Sequence, residues 1–122
     1  MFGKAHRHRP PGKRLGNRLR LGVPAGLVLP YRTHRCRIVD VSANGARIRV
    51  EKPIQTDRTA MLHFHELRAY GTVVWCRAGE CGLAFDTALA QEDMEGFLWI
   101  VQNPSAYARY CGTSGGRDWS RQ

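Results

Sequence analysis

No acidic residue occurs among the first twenty positions, which hold Lys4, Arg7, Arg9, Lys13, Arg14, Arg18 and Arg20. An arm with seven positive charges and no compensation attracts phosphate, whether in nucleic acid, a nucleotide or an anionic lipid surface. Acid is not scarce elsewhere: 12 cations against 10 acids leave the rest of the chain at only +2 of the total +9. Lysine is scarce throughout, since 16 of the 19 cations are arginine. Long apolar runs are absent too. Phe97-Leu98-Trp99-Ile100-Val101 is among the longest, far short of the roughly 20 residues of a helical membrane span, and the basic N-terminus has no apolar segment of a secretory signal. A cytoplasmic protein without membrane insertion is expected.

Four cysteines in a cytosolic chain are expected as free thiols and not as a disulfide framework. Cys36 alternates with apolar residues and reads as core, Cys111 falls in a polar tail, and Cys76 and Cys81 face each other across a hairpin. A single Cys-x4-Cys pair is a weak zinc signal, and His63 and His65, read on one strand face, lack a third ligand. His6 and His8 in the arm add nothing firmer, so no metal site and no cofactor are expected. The sequence offers no ordered Ser, His and Asp, no paired carboxylates and no Gly-rich phosphate loop, so no catalytic residue is named and an enzyme is the weakest reading.

The organisation expected is a flexible basic extension over residues 1–12, a domain over 13–102 and a flexible tail over 103–122. Within the domain, 13–22 continue the arm, 23–85 form a barrel and 91–101 a helix. Short runs of Val, Ile, Leu and aromatics between turn residues give strands at Ala25–Tyr31, around Cys36 and Ile38, at Ala46–Val50, Arg58–His65, Ala69–Cys76 and Cys81–Phe85. Six strands in so small a core gain most by closing, which removes exposed edges. Asn44-Gly45 centres the clearest hairpin through its ease with positive φ. Cys36 and Ile38 share one phase and Val39 and Val41 the other, which predicts either a bulge or a strand buried on both faces near Asp40. In the helix, Met94, Phe97, Leu98 and Val101 form an apolar stripe, Glu92, Asp93 and Glu95 suit its positive end, and Asn103-Pro104 stops it. Trp75 and Phe85 read as barrel fillers.

Two segments carry the functional signal. One is Arg14-Leu15-Gly16-Asn17-Arg18, an Arg-x-x-x-Arg; the other is Asp40-Val41-Ser42-Ala43-Asn44-Gly45, an Asp-x-Ser-x-x-Gly. In this order, with Leu19 after the second arginine, the strand Thr72-Val73-Val74-Trp75 and the closing Gly82-Leu83-Ala84-Phe85, the chain resembles the PilZ domain family of bacterial cyclic di-GMP receptors over roughly residues 13–101. The resemblance implies an all-β-dominated fold, a small six-stranded antiparallel β-barrel with one C-terminal α-helix and a flexible basic arm. It also implies a site in which Arg14 and Arg18 clamp phosphate and guanine from the arm, while Asp40, Ser42 and Gly45 supply the barrel-borne half.

The chemistry agrees with those roles. Guanidinium forks bind phosphate oxygens bidentately and stack on guanine, which lysine does not do. A carboxylate accepts from the guanine edge, a serine hydroxyl adds a short polar contact, and glycine permits close approach. Binding would order the arm and offer a changed surface to a downstream protein partner. Two other readings compete. One is a ligand-independent adaptor on the same fold; the other is a small-barrel nucleic-acid-binding module, disfavoured by the nearly neutral body and by an arm whose only aromatic is Phe2.

Overall fold

The computed structural model describes residues 18–113. Six antiparallel strands, β1 (Leu19–Leu29), β2 (Arg32–Ser42), β3 (Gly45–Val50), β4 (Thr59–Phe64), β5 (Leu67–Arg77) and β6 (Glu80–Phe85), close in the order β1-β2-β3-β6-β5-β4. Alternation drives this closure: Ala46, Ile48 and Val50 turn inward from β3 while Arg47 and Arg49 stay outside. The interior is filled by Leu27, Ile38, Ile48, Leu62, Val41 and Val73, all but withdrawn from solvent. The ring is fastened back on itself by the short pairing of β1 with β4, Gly26↔His63, Leu27↔Leu62 and Val28↔Met61.

Three expectations change here. β1 begins at Leu19, inside the stretch read as arm, because the alternation of Leu19, Leu21, Val23, Ala25 and Leu27 continues through it; a register shift falls between Arg20 and Val23. The β2–β3 turn is Ala43-Asn44, with Gly45 already in the strand and no positive φ at Asn44 or Gly45. Cys76 and Cys81, expected as thiols, lie opposite each other in the β5–β6 register and are joined as a disulfide. Of the other two, Cys36 is buried in the core and burial pushes its thiol up to about 12.

Helix α1 (Gln91–Gln102) packs against β1, with Phe97 buried and stacked on Phe64 at 5.2 Å between ring centres. The stripe is Met94, Phe97 and Ile100; Leu98 and Val101 face outward. Residues 104–113, expected as tail, are instead a second helix, α2 (Pro104–Thr113). Asn103 is the hinge of the two. Its backbone N–H donates to Trp99 and Ile100, closing α1, and its carbonyl accepts from the Tyr107 N–H, opening α2. Pro104 ends one helix yet suits the first position of the next, where no N–H is needed. Among the described residues no helix is long and apolar enough to cross a membrane.

His65 lies beyond β4, in the turn before β5 at φ 53°, so it does not share a strand face with His63. Its Nε2 is hydrogen-bonded at 2.7 Å to the Tyr107 hydroxyl, tying the turn to α2. Burial lowers the His65 pKa, and His63 adds to this against an opposing pull from Glu66. An imidazole depressed in the folded state takes its proton first when unfolded, so its stabilising contribution is full above about pH 6.5 and is lost as pH falls toward the folded value. The melting temperature is therefore expected to be lower near pH 5 than near pH 7.5. His65→Asn, which tolerates positive φ, should narrow that difference in thermal melts at the two pH values.

Candidate functional site

The strand register brings one row of residues across the outside of the barrel. Arg20 pairs with Asp40, Asp40 with Arg47, Arg47 with Gly82 and Gly82 with Trp75, so five strands contribute one residue each. Of the two arrangements expected near Asp40, the bulge is present, since the β2–β3 pairing skips from Ile38↔Ile48 to Asp40↔Arg47. It changes the phase of β2 between Ile38 and Val41, both of which point inward, and leaves Asp40 on the outer row.

Asp40 is the single charged side chain buried among the described residues, at 2% exposure. Arginines cover it. The Arg18 guanidinium donates to one carboxylate oxygen, and Arg47 donates to the other through Nε at 3.1 Å and Nη2 at 2.8 Å. Both arginines remain open to solvent, with side chains 50% and 36% exposed. Glu80 continues the network, 3.6 Å from Arg47 and 2.9 Å from Arg49. The two oxygens thus accept from Arg18, ahead of β1, and from Arg47 of β3, the charge-assisted arrangement that makes a buried carboxylate tolerable.

Of the five residues predicted, Arg18 and Asp40 are in contact, and Ser42 and Gly45 form the neighbouring pair of the same sheet. Ser42 Oγ donates to the Gly45 carbonyl at 3.4 Å. Gly45 has a local reason to be glycine: a Cβ there would stand 2.5 Å from the Leu83 carbonyl oxygen. Arg14 lies outside the described residues.

Two residues of the site escaped sequence reading. In sequence Arg47 alternates with Ala46 and Ile48 and reads only as part of a solvated strand face; the available signal is its place three residues past the Ala43-Asn44 turn, opposite Asp40. Trp75 was read as a barrel filler, but a register shift between Val73 and Trp75 reverses its phase and puts it outside. Its indole lies over Gly82, where a Cβ would collide with it, and the Arg77 guanidinium is 5.4 Å from the ring centre. The outer row therefore offers guanidinium groups, one carboxylate and a half-buried indole. Those are the groups that bind a phosphorylated purine: forks for phosphate, an acceptor for ring N–H donors and a plane for stacking.

A closed six-stranded antiparallel barrel, with Arg18 just ahead of β1 paired to one buried carboxylate and two helices after the last strand, defines the class of small β-barrel to which the chain's fold belongs. The match to the PilZ domain family extends over residues 12–102. The chain belongs to that family. Among solved structures it is similar to the PlzA protein of Borreliella burgdorferi, crystallised in complex with c-di-GMP, with a TM-score of 0.51 and 18% identity over 76% of this chain. This chain spans 40% of that one. None of the curated proteins matches.

Proposed function

We propose that the chain binds cyclic di-GMP on the outer row of the barrel and relays its presence to a protein partner, without catalysing a reaction. Arg14 and Arg18 hold phosphate and guanine from the N-terminal side, Asp40 accepts from a guanine edge, and Ser42 and Gly45 complete the barrel-borne half. Arg47 and Trp75 border the same row. The observation that carries the reading is the Arg18–Asp40 ion pair, which joins two motifs 22 residues apart in sequence. Membership of a family of cyclic di-GMP receptors and the fold shared with a c-di-GMP-bound protein support it.

Ligand binding on this reading is an exchange: Arg18 releases or shares the Asp40 oxygen and turns toward phosphate. Isothermal titration calorimetry with cyclic di-GMP tests it, with GTP and a short single-stranded oligonucleotide as comparisons. Saturable binding of the cyclic dinucleotide alone is expected. Binding of the oligonucleotide alone would replace the reading with the nucleic-acid module, and binding of none of the three would leave the ligand-independent adaptor. Arg47→Ala should weaken cyclic di-GMP by about tenfold, the scale of one charge-assisted hydrogen bond, and an unchanged dissociation constant would remove Arg47 from the site.

A further inference from the structure

The end of the barrel away from the β2–β3 turn is built by the β1–β2 turn and the loop over residues 51–58. It holds a cavity of about 300 Å³, near the lower end of the range for ligand pockets. Leu29 and Ile54 give it an apolar floor; Arg32, His34, Lys52 and Arg58 stand around it, and no carboxylate lines it. The contrast with the Asp40 row is sharp. There Arg18, Arg47 and Arg49 are each paired with Asp40 or Glu80. Among the described residues no ion pair is made by Arg32, Lys52 or Arg58, and Arg58 donates only to the neutral Gln55 side-chain oxygen, through Nε at 2.9 Å. The uncompensated charge is felt by His34, whose pKa is lowered by burial and then by Arg32 and Lys52.

Unpaired cations around an apolar floor are complementary to an anion that carries an apolar group. Tyr31, 69% exposed at the turn, adds aromatic surface of the kind enriched where proteins meet. A nucleic-acid strand calls for cations continued along a track, whereas here they gather at one cavity large enough for one big side chain. We propose that this cavity is the docking site for an acidic segment of a partner protein, with an apolar side chain seated on Leu29 and Ile54 and flanking carboxylates on Arg32, Lys52 and Arg58. The proposal goes beyond the cyclic di-GMP reading and does not depend on it, because the two sites occupy different parts of the barrel and share no residue.

The test is selection from a random 12-residue peptide display library on the full-length protein. The enriched peptides are then measured by fluorescence anisotropy against wild type, Arg18→Ala and a triple variant combining Arg32→Ala, Lys52→Ala and Arg58→Ala. A single-stranded 12-nucleotide RNA is run in parallel. The expected peptides place Asp or Glu beside an apolar residue, lose about tenfold or more in affinity for the triple variant, and bind Arg18→Ala as they bind wild type. The three substituted side chains are exposed, so the variant should melt with wild type; if it melts early, the charge-reversing Lys52→Glu takes its place with the same expectation. A selection without acidic enrichment overturns the proposal. So do acidic peptides that bind the variant as tightly as wild type, because the basic arm would then be holding them. Loss of RNA binding in the variant with no acidic peptide selected also overturns it, in favour of a nucleic-acid site.

Discussion

Asp40→Ala is expected to abolish cyclic di-GMP binding in calorimetry while the variant still melts cooperatively. The carboxylate has two roles on the outer row, and alanine removes both. It is the acceptor proposed for a guanine edge, and it is the counter-charge that holds Arg18 and Arg47 over the barrel. Losing a charged acceptor for the neutral N–H donors of a guanine edge typically costs about 1.5–3 kcal/mol of binding, and losing the positioning of two phosphate-binding groups adds to it. The cost to folding is smaller. Breaking a buried ion pair is severe when the remaining charge cannot reach water, but the side chains of Arg18 and Arg47 are already 50% and 36% exposed and can hydrate. A fall of several degrees in melting temperature is expected. Arg18→Ala should lose the ligand likewise with less effect on melting. Affinities equal to wild type in both variants would sink the site assignment.

Gly45→Ala should act the other way round, with its main effect on the fold. A Cβ at position 45 would lie 2.5 Å from the Leu83 carbonyl oxygen and 3.5 Å from its carbon. Both are backbone atoms of β6, so no rotamer change relieves the clash, and the β3–β6 pairing must shift. Overpacking of this kind costs about 1–3 kcal/mol, which in a domain of this size lowers the melting temperature by on the order of 10 °C. Ser42→Ala, one step across the same sheet, should cost under about 0.5 kcal/mol because its bond to the Gly45 carbonyl is long. Melting curves of the two variants, run beside calorimetry, separate the structural demand at Gly45 from any contact with ligand. A Gly45→Ala chain that melted with wild type would contradict the close approach of β6.

Which parts of this architecture could be read in advance follows from where period-two alternation survives. Ala46, Ile48 and Val50 alternate cleanly, and β3 lies where they put it. Trp75, expected as a barrel filler, lies outside because the register shifts between Val73 and Trp75; single-sequence periodicity cannot see a bulge that leaves no mismatch of apolar residues. At Asp40 the mismatch is visible, since Val39 and Val41 break phase with Ile38; it leaves a bulge or a strand buried on both faces, and the pairing with β3 decides for the bulge. The second helix was hidden by chemistry with two meanings, because Asn103-Pro104 both ends a helix and begins one. The motif residues Arg18 and Asp40 were legible as types. Arg47 was not, because its role comes from a cross-strand neighbour that only the pairing supplies.

The β1–β4 fastening is the shortest of the ring, three residue pairs against five or more in every other pairing. A closed sheet has no ends until one seam parts, and the seam with the fewest rungs parts most readily. Amide protons of β1 and β4 should therefore exchange with deuterium ahead of those buried in the β2–β3 pairing. Each such opening turns the ring for a moment into a ribbon with two free margins, bare of partners along Leu27 and Leu62. The lifetime of that ribbon, more than the depth of the folded well, would govern how readily the protein adheres to itself at high concentration.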